Sequence, residues 1–343
     1  MAVRLPDFYM VEQHFDVPVL EDPEAVARAE TERLLPSIRR GQQVAVGVGS
    51  RGIAEIASMV RGVVSRLQKH GAEVFVFPAM GSHGGATSAG QRHVLETLGV
   101  TERTVGCEIR SSMQAIKLGV TESGFEVRFD ANAAAAHHTV LVNRVKVHTD
   151  FVGRLGSGLV KMSVIGCGKR QGAELVHSQA KVHGYEAVLR AVGGYLLEKS
   201  NIVGGLAIVE TPTHGPGRIE GLVADEIVEA EERLLELSKS WMARIPFDDI
   251  DLLIVDRIGK EISGVGMDPN VIGRNVIRGT EADFQHGTIR RIYARRLTEK
   301  SGGNGLGIGL ADYVSGELLD AIDWDVTLAN TLTAGNIELI RQP

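Results

Sequence analysis

"QVAVGVGSRGIAEIASMVRGVVSRLQKHGAEVFVFP", residues 43–78, holds the arrangement on which the fold turns. Its first six residues (43–48) form an apolar, β-branched run of strand length, and its last seven (72–78) form another. The residues between, 53–71, space their apolar side chains as one face of a helix and end on Gly71, the residue type that closes helices in the left-handed region. A strand, a helix and a strand joined by short connections predict a parallel βαβ unit.

The same alternation continues along the chain. "TVLVN" (139–143), "LAIVE" (206–210), "DLLIVD" (251–256) and "DVTLAN" (325–330) read as further strands, and helices are predicted over 88–98, 183–199 and 224–243. The expected fold class is α/β, with two domains of mostly parallel sheet flanked by helices and an active site in the cleft between them. The proline turn in "ARIPFDDID" (243–251) sets the expected boundary. Residues 1–245 would form a cofactor-binding catalytic domain, and 246–343 a smaller C-terminal α/β domain.

Composition narrows the function classes. Of 343 residues, 43% are apolar and 23% charged, with a net charge of −6, and Lys and Arg are scattered, so the basic stripe of a nucleic-acid binder is missing. The N-terminal stretch lacks the apolar core of a secretory signal, and no run approaches the ~20 apolar residues of a membrane helix. The expectation is a soluble cytoplasmic protein acting on a small molecule, without nucleic acid or membrane as partner. Cys107 and Cys167 lie sixty positions apart and read as small buried apolar residues.

Loops after strands carry the candidate chemistry. "GVGSRG" (47–52) fits the spacing of a dinucleotide-binding turn, but the next strand ends at Pro78 where an acidic residue should hold a ribose. A turn whose amides meet a phosphate or carboxylate is the better reading, with Arg51 either gripping an anion or solvated. "AMGSHGGAT" (79–87) puts His83 among small residues, facing a ligand or water. "NRVKVHTDFVGRLGSGLVK" (143–161) puts His148 just past a strand. "GSGLVKMSVIGCGKRQGAELVH" (156–177) then joins Lys161 to His177 sixteen residues on. Lys161 reads as a desolvated amine nucleophile or a solvated helix lysine, and His177 as a ligand or a helix-face histidine. "GCGKRQG" is not a P-loop, because Ser163 and Arg170 stand where Gly and Ser or Thr are required.

Taken in order, "GSH", "VH", "SGLVKMSVIG" and the following histidine resemble the signature of the nickel-dependent lactate racemase family, whose members carry a nickel-pincer nucleotide. The resemblance covers roughly residues 40–180 at motif level. It implies that Lys161 tethers the nickel-pincer nucleotide covalently, that His177 is the protein ligand to nickel, and that His83 and His148 are the acid/base pair on either side of the substrate. It implies further that Arg51 grips the substrate carboxylate and that Ser50 and Gly158 let backbone approach the cofactor. The activity implied is that of an isomerase, a racemase or epimerase of a 2-hydroxy acid, served by the proteins that build the cofactor; a homo-oligomer is left open.

Departures shift the expected substrate away from lactate. The family's Asp-x-Thr-Arg-Pro turn is replaced by "VGSRG", and the second-domain loop reads "GKEISGVGMDPNVIGR" (259–274), in which Lys260, Asn270 and Arg274 are the candidate substrate contacts. Two other readings stand beside this one. One is a nucleotide- or sugar-acid-binding protein, or a divalent-metal dehydratase, on the same scaffold; the other is a nicotinamide dehydrogenase.

Overall fold

The computed structural model describes residues 7–50, 52–148, 153–274, 288–334 and 337–341. The opening βαβ unit forms as its pattern requires. Strand β1 (Gln43–Val48) pairs in parallel with β2 (Glu73–Pro78), and the helix Ile56–His70 between them buries Ile56, Met59, Val60, Val63, Val64 and Leu67. Gly71 ends that helix at φ +100 and returns its N–H to Gln68 and Leu67, a closure that a residue with a Cβ makes only with strain.

Four short strands follow, β3 (Glu108–Ile109), β4 (Ala115–Val120), β5 (Glu126–Asp130) and β6 (His138–Arg144), then β7 (Ile202–Glu210) and β8 (Pro216–Val223). The main sheet runs β3-β2-β1-β6-β7-β8, all parallel except β8, which pairs antiparallel with β7; β4 and β5 form a separate hairpin. Side chains alternate between its two faces. Val44, Val46, Val76, Val140 and Ile208 enter one core; Ala45, Phe75, Phe77, Leu141 and Val209 enter the other. Because both faces are covered, these strands are nearly continuous apolar runs, and each buried Val or Leu contributes about 1.5–3 kcal/mol.

Three parallel strands, β9 (Asp249–Ile258), β10 (Thr288–Leu297) and β11 (Tyr313–Val314), form a second sheet in the order β11-β10-β9, with a third core around Ile258, Ile292, Ile308 and Leu318. β8 and β10 escape the sequence reading: β8 is broken by glycines and β10, "TIRRIYARRL", carries four arginines.

The expected strand 325–330 is a helix, Trp324–Ala334. Its Val and Thr favour strand, but Asp323 Oδ1 accepts the amides of Asp325 (3.0 Å) and Val326 (3.1 Å), a helix-start arrangement. Thr327 and Thr331 then lie one turn apart, both buried. The expected helix 183–199 begins at Tyr185, because Gly184 at φ +83 separates Lys169–His183 from Tyr185–Lys199.

Both cysteines are free; Cys167 is fully buried, and burial pushes its thiol well up and that of half-buried Cys107 to about 11. No helix of the described residues is long and apolar enough to cross a membrane.

Candidate active site

β1 lies between β2 and β6 in the sheet, so the chain leaves its carboxyl end toward one neighbour while the other arrives from later in the sequence. Such a switch point opens a crevice at the carboxyl ends of the strands. The loops after β1, β2 and β6 meet there. Asn143 Nδ2 donates to the Gly158 carbonyl (2.9 Å), and its Oδ1 would lie 3.2 Å from a Cβ on Gly49. Asn143 therefore bonds the glycine segment that leads to Lys161 and packs closely against the turn containing Ser50. Arg51 lies outside the described residues.

That glycine segment is built around a buried acid. Glu231, on the helix Ile227–Ser240, accepts the Val160 amide at 3.0 Å and also bonds the Leu159 backbone, so it caps the short helix Leu159–Lys161. A Cβ on Gly158 would stand 2.0 Å from Glu231 Oε1, so only glycine fits. Burial raises the Glu231 carboxyl to about 7, against the lowering effect of the two backbone bonds. After Lys161, which is half-buried, the chain makes a π-type turn, Met162–Gly166, in which Cys167 N–H returns to Met162 O at 2.8 Å. Turns of this kind concentrate at functional sites.

His83 sits in the loop after β2, held from beneath. Gly81 N–H donates to Gly166 O (3.1 Å), tying the loop to the Lys161 segment, and Gln91 Nε2 donates to Gly81 O (2.7 Å) and His83 O (3.3 Å). Gln91 Oε1 in turn accepts from Lys169 Nζ (3.3 Å), which also donates to Pro78 O (2.6 Å) and pairs with Asp130 at 2.8 Å. Lys169 and Asp130 are both fully buried. His83 Nδ1 lies 2.7 Å from Met80 O. A carbonyl accepts only from an N–H, so the neutral ring carries its lone pair on Nε2.

His148 and His177 are brought together by Tyr185. The His148 ring stacks on Tyr185 (centroids 6.4 Å apart, planes 25° apart), and His177 meets the same ring edgewise (5.7 Å, 73°) with Nδ1 2.7 Å from the phenol oxygen. Asn270 Nδ2 donates to the His148 carbonyl at 3.3 Å, from the second-sheet side.

The other two candidates from the 259–274 segment are placed differently. Arg274 bonds Asp312 (2.6 Å), Leu310 O (3.2 Å) and Ile289 O (3.1 Å), which ties its loop to β10. Exposed Lys260 donates from Nζ to Asn330 and from its amide to Ser301.

The chain is similar to a structural-genomics target from Thermotoga maritima (TM-score 0.54, 16% identity, 70% of this chain and 64% of that one). It is also similar to the lactate racemase apoprotein from Thermoanaerobacterium thermosaccharolyticum (TM-score 0.53, 13% identity, 81% of this chain and 68% of that one). The chain has a lactate-racemase-like fold. At these identities the fold is what is shared, and the chain spans less than two thirds of the length of the Thermotoga protein. No protein-family profile and no curated protein matches the sequence.

On this lactate-racemase-like scaffold, four residues that sequence reasoning passed over shape the site: Tyr185, Gln91, Lys169 and Glu231. Glu231 left a legible signal, a carboxylate on the buried stripe of Ile227, Ala230, Leu234 and Leu235. Lys169 stood in "GCGKRQG", where the failed P-loop match hid it. The donor set also bears on metal binding. Among the described residues no three His, Cys, Asp or Glu side chains gather to hold a metal. His177, with Nδ1 engaged by Tyr185, is arranged as single ligating histidines are, one nitrogen for a hydrogen bond and one for the metal. An imidazole oriented in this way fits a metal as a single protein donor.

Proposed function

We propose that this protein is an isomerase, a racemase or epimerase of a 2-hydroxy acid that uses a nickel-pincer nucleotide and works in the cytoplasm. The observation that carries the reading is the bridge from His148 through Tyr185 to His177 beside the Lys161 segment, on a scaffold folded like lactate racemase. In this reading residues 1–245 form the cofactor-binding catalytic domain and 246–343 a smaller C-terminal α/β domain, with cofactor-building proteins as partners.

Lys161 would hold the nucleotide covalently and His177 its nickel, for which imidazole is a well-matched donor. Ser50 and Gly158 would allow close backbone approach. When bound, the group supplies an acceptor for the substrate's Cα hydrogen. The protein's part is proton handling and orientation. His83, fixed through Nδ1 to Met80 O, presents Nε2 to take a hydroxyl proton, and His148, braced by Tyr185 and Asn270, serves the opposite face. Two imidazoles that exchange protons near neutral pH give two mirror-related routes. Arg51 is assigned to the substrate carboxylate, with Lys260 and Arg274 the cationic candidates of the second unit.

The test is stereochemical. Loaded protein is incubated with single enantiomers of several 2-hydroxy acids, and the products are resolved by chiral chromatography. Scrambling that His83→Ala and His148→Ala each suppress is the expected result. Binding without scrambling would instead favour a sugar-acid-binding protein or a divalent-metal dehydratase on this scaffold.

A further inference from the structure

A cavity of about 420 Å³ opens between the carboxyl end of the main sheet and β9, its nearest lining residue in sequence to His148 being Lys146. One wall is Val145 and Lys146, at the end of β6 and on the way to His148. Lys146 exchanges both backbone hydrogen bonds with Ser157 (2.9 and 2.8 Å), the residue before Gly158, so the cavity wall is continuous with the Lys161 segment. The opposite wall includes Asp268, two residues before the Asn270 that bonds the His148 carbonyl.

The rest is apolar. Trp241 and Ile245 line it from the stretch after the Ile227–Ser240 helix, Leu253 and Val255 from β9, and Val271 from the short helix Pro269–Ile272 that carries Asn270. Apolar walls with a few convergent polar groups are the usual make-up of a small-molecule site, and this volume lies within the ~300–1,000 Å³ such sites span. A three-carbon hydroxy acid would leave most of it empty. At the polar end Lys146 Nζ stands 3.5 Å from Asp268, longer than the ~2.7–2.9 Å of a tight charge-assisted hydrogen bond, so the ammonium can share a second anionic group.

We propose that this cavity seats the apolar tail of the substrate, and that the substrate is a 2-hydroxy acid with an alkyl side chain much longer than that of lactate. The inference rests on the racemase reading for the hydroxy-acid end and on the cavity for the tail. The tail lies along Trp241, Leu253 and Val271, and the hydroxy-acid end lies at the Lys146 end, from which the chain leads on to His148.

The test uses apoprotein, so that it does not depend on cofactor loading. Calorimetric titration with 2-hydroxyoctanoate and with lactate compares ligands that share a reacting end. Burial of the extra methylenes predicts binding of 2-hydroxyoctanoate about 100-fold tighter or more. Val271→Trp, which fills the cavity, should weaken 2-hydroxyoctanoate at least about tenfold and leave lactate unchanged. Ile245→Trp serves the same purpose should Val271→Trp fail to fold by circular dichroism. Equal affinity for the two acids, failure of 2-hydroxyoctanoate to bind, or indifference of a folded cavity-filling variant would overturn the inference. If the selectivity is absent while the protein loads nickel, the racemase reading survives alone. If the selectivity is present without loading, the cavity survives and the chemistry does not.

Discussion

The phenol oxygen of Tyr185 lies 2.7 Å from Nδ1 of His177, and the same aromatic ring stacks on His148. One side chain therefore orients two histidines that sequence separates by 29 positions. Tyr185→Phe keeps the stacking surface and removes the hydrogen bond. Loss of an orienting partner costs a metal-ligating histidine about 10–100-fold in affinity. Nickel retained by loaded Tyr185→Phe protein under chelator challenge should fall by that factor, with thermal stability nearly unchanged.

Lys169 and Asp130 are a fully buried ion pair that joins the start of the Lys169–His183 helix to the ends of β2 and β5. Lys169→Met leaves a buried carboxylate without its counter-charge, which should cost about 3–5 kcal/mol in denaturant unfolding. The double change Lys169→Met with Asp130→Leu removes both charges and should recover a large part of that loss.

Glu231 gives the fold a pH dependence whose sign follows from its environment. Burial raises its carboxyl from 4.5 to about 7. The native state then keeps a proton that the unfolded chain releases, an advantage fully present below about 4.5 and lost as pH rises to about 7. Glu231→Gln retains an oxygen to accept the Val160 amide and has no proton to lose. Melting temperatures measured across this window should fall for the parent chain relative to the variant; parallel curves would contradict a buried titrating carboxyl.

The tautomer of His83 is open to direct observation without any cofactor. Its bond to Met80 O fixes the proton on Nδ1, and Gln91 holds the loop through Gly81 O and His83 O. Nitrogen-15 spectra of the apoprotein should show His83 predominantly as the Nδ1–H form above its pKa. Gln91→Leu removes both donor contacts, and its spectrum should move toward the mixture of a solvated imidazole.

Much of the fold was legible in the sequence because local rules and the tertiary structure agree. β1, the helix Ile56–His70 and β2 read correctly since both strand faces are buried and Gly71 closes the helix. His83, His148, Lys161 and His177 stood out as reactive types in post-strand loops or glycine-rich surroundings. Tyr185 did not, because it reaches His177 only across the break at Gly184, which no periodicity announces. Lys169 was hidden for a different reason: its partners Pro78, Gln91 and Asp130 come from three distant segments, and its own φ of +55 is unusual for lysine. At 325–330 the β-branched residues pointed to a strand, and two backbone bonds to Asp323 made a helix.

The most direct test of the central claim is intact mass with metal analysis on protein co-expressed with a pincer-nucleotide biosynthetic system. A covalent adduct with bound nickel is expected, an adduct that Lys161→Ala abolishes and nickel that His177→Ala releases. Unmodified, nickel-free protein under conditions that load a known lactate racemase would contradict it, and would mean that the chain keeps the scaffold without the chemistry.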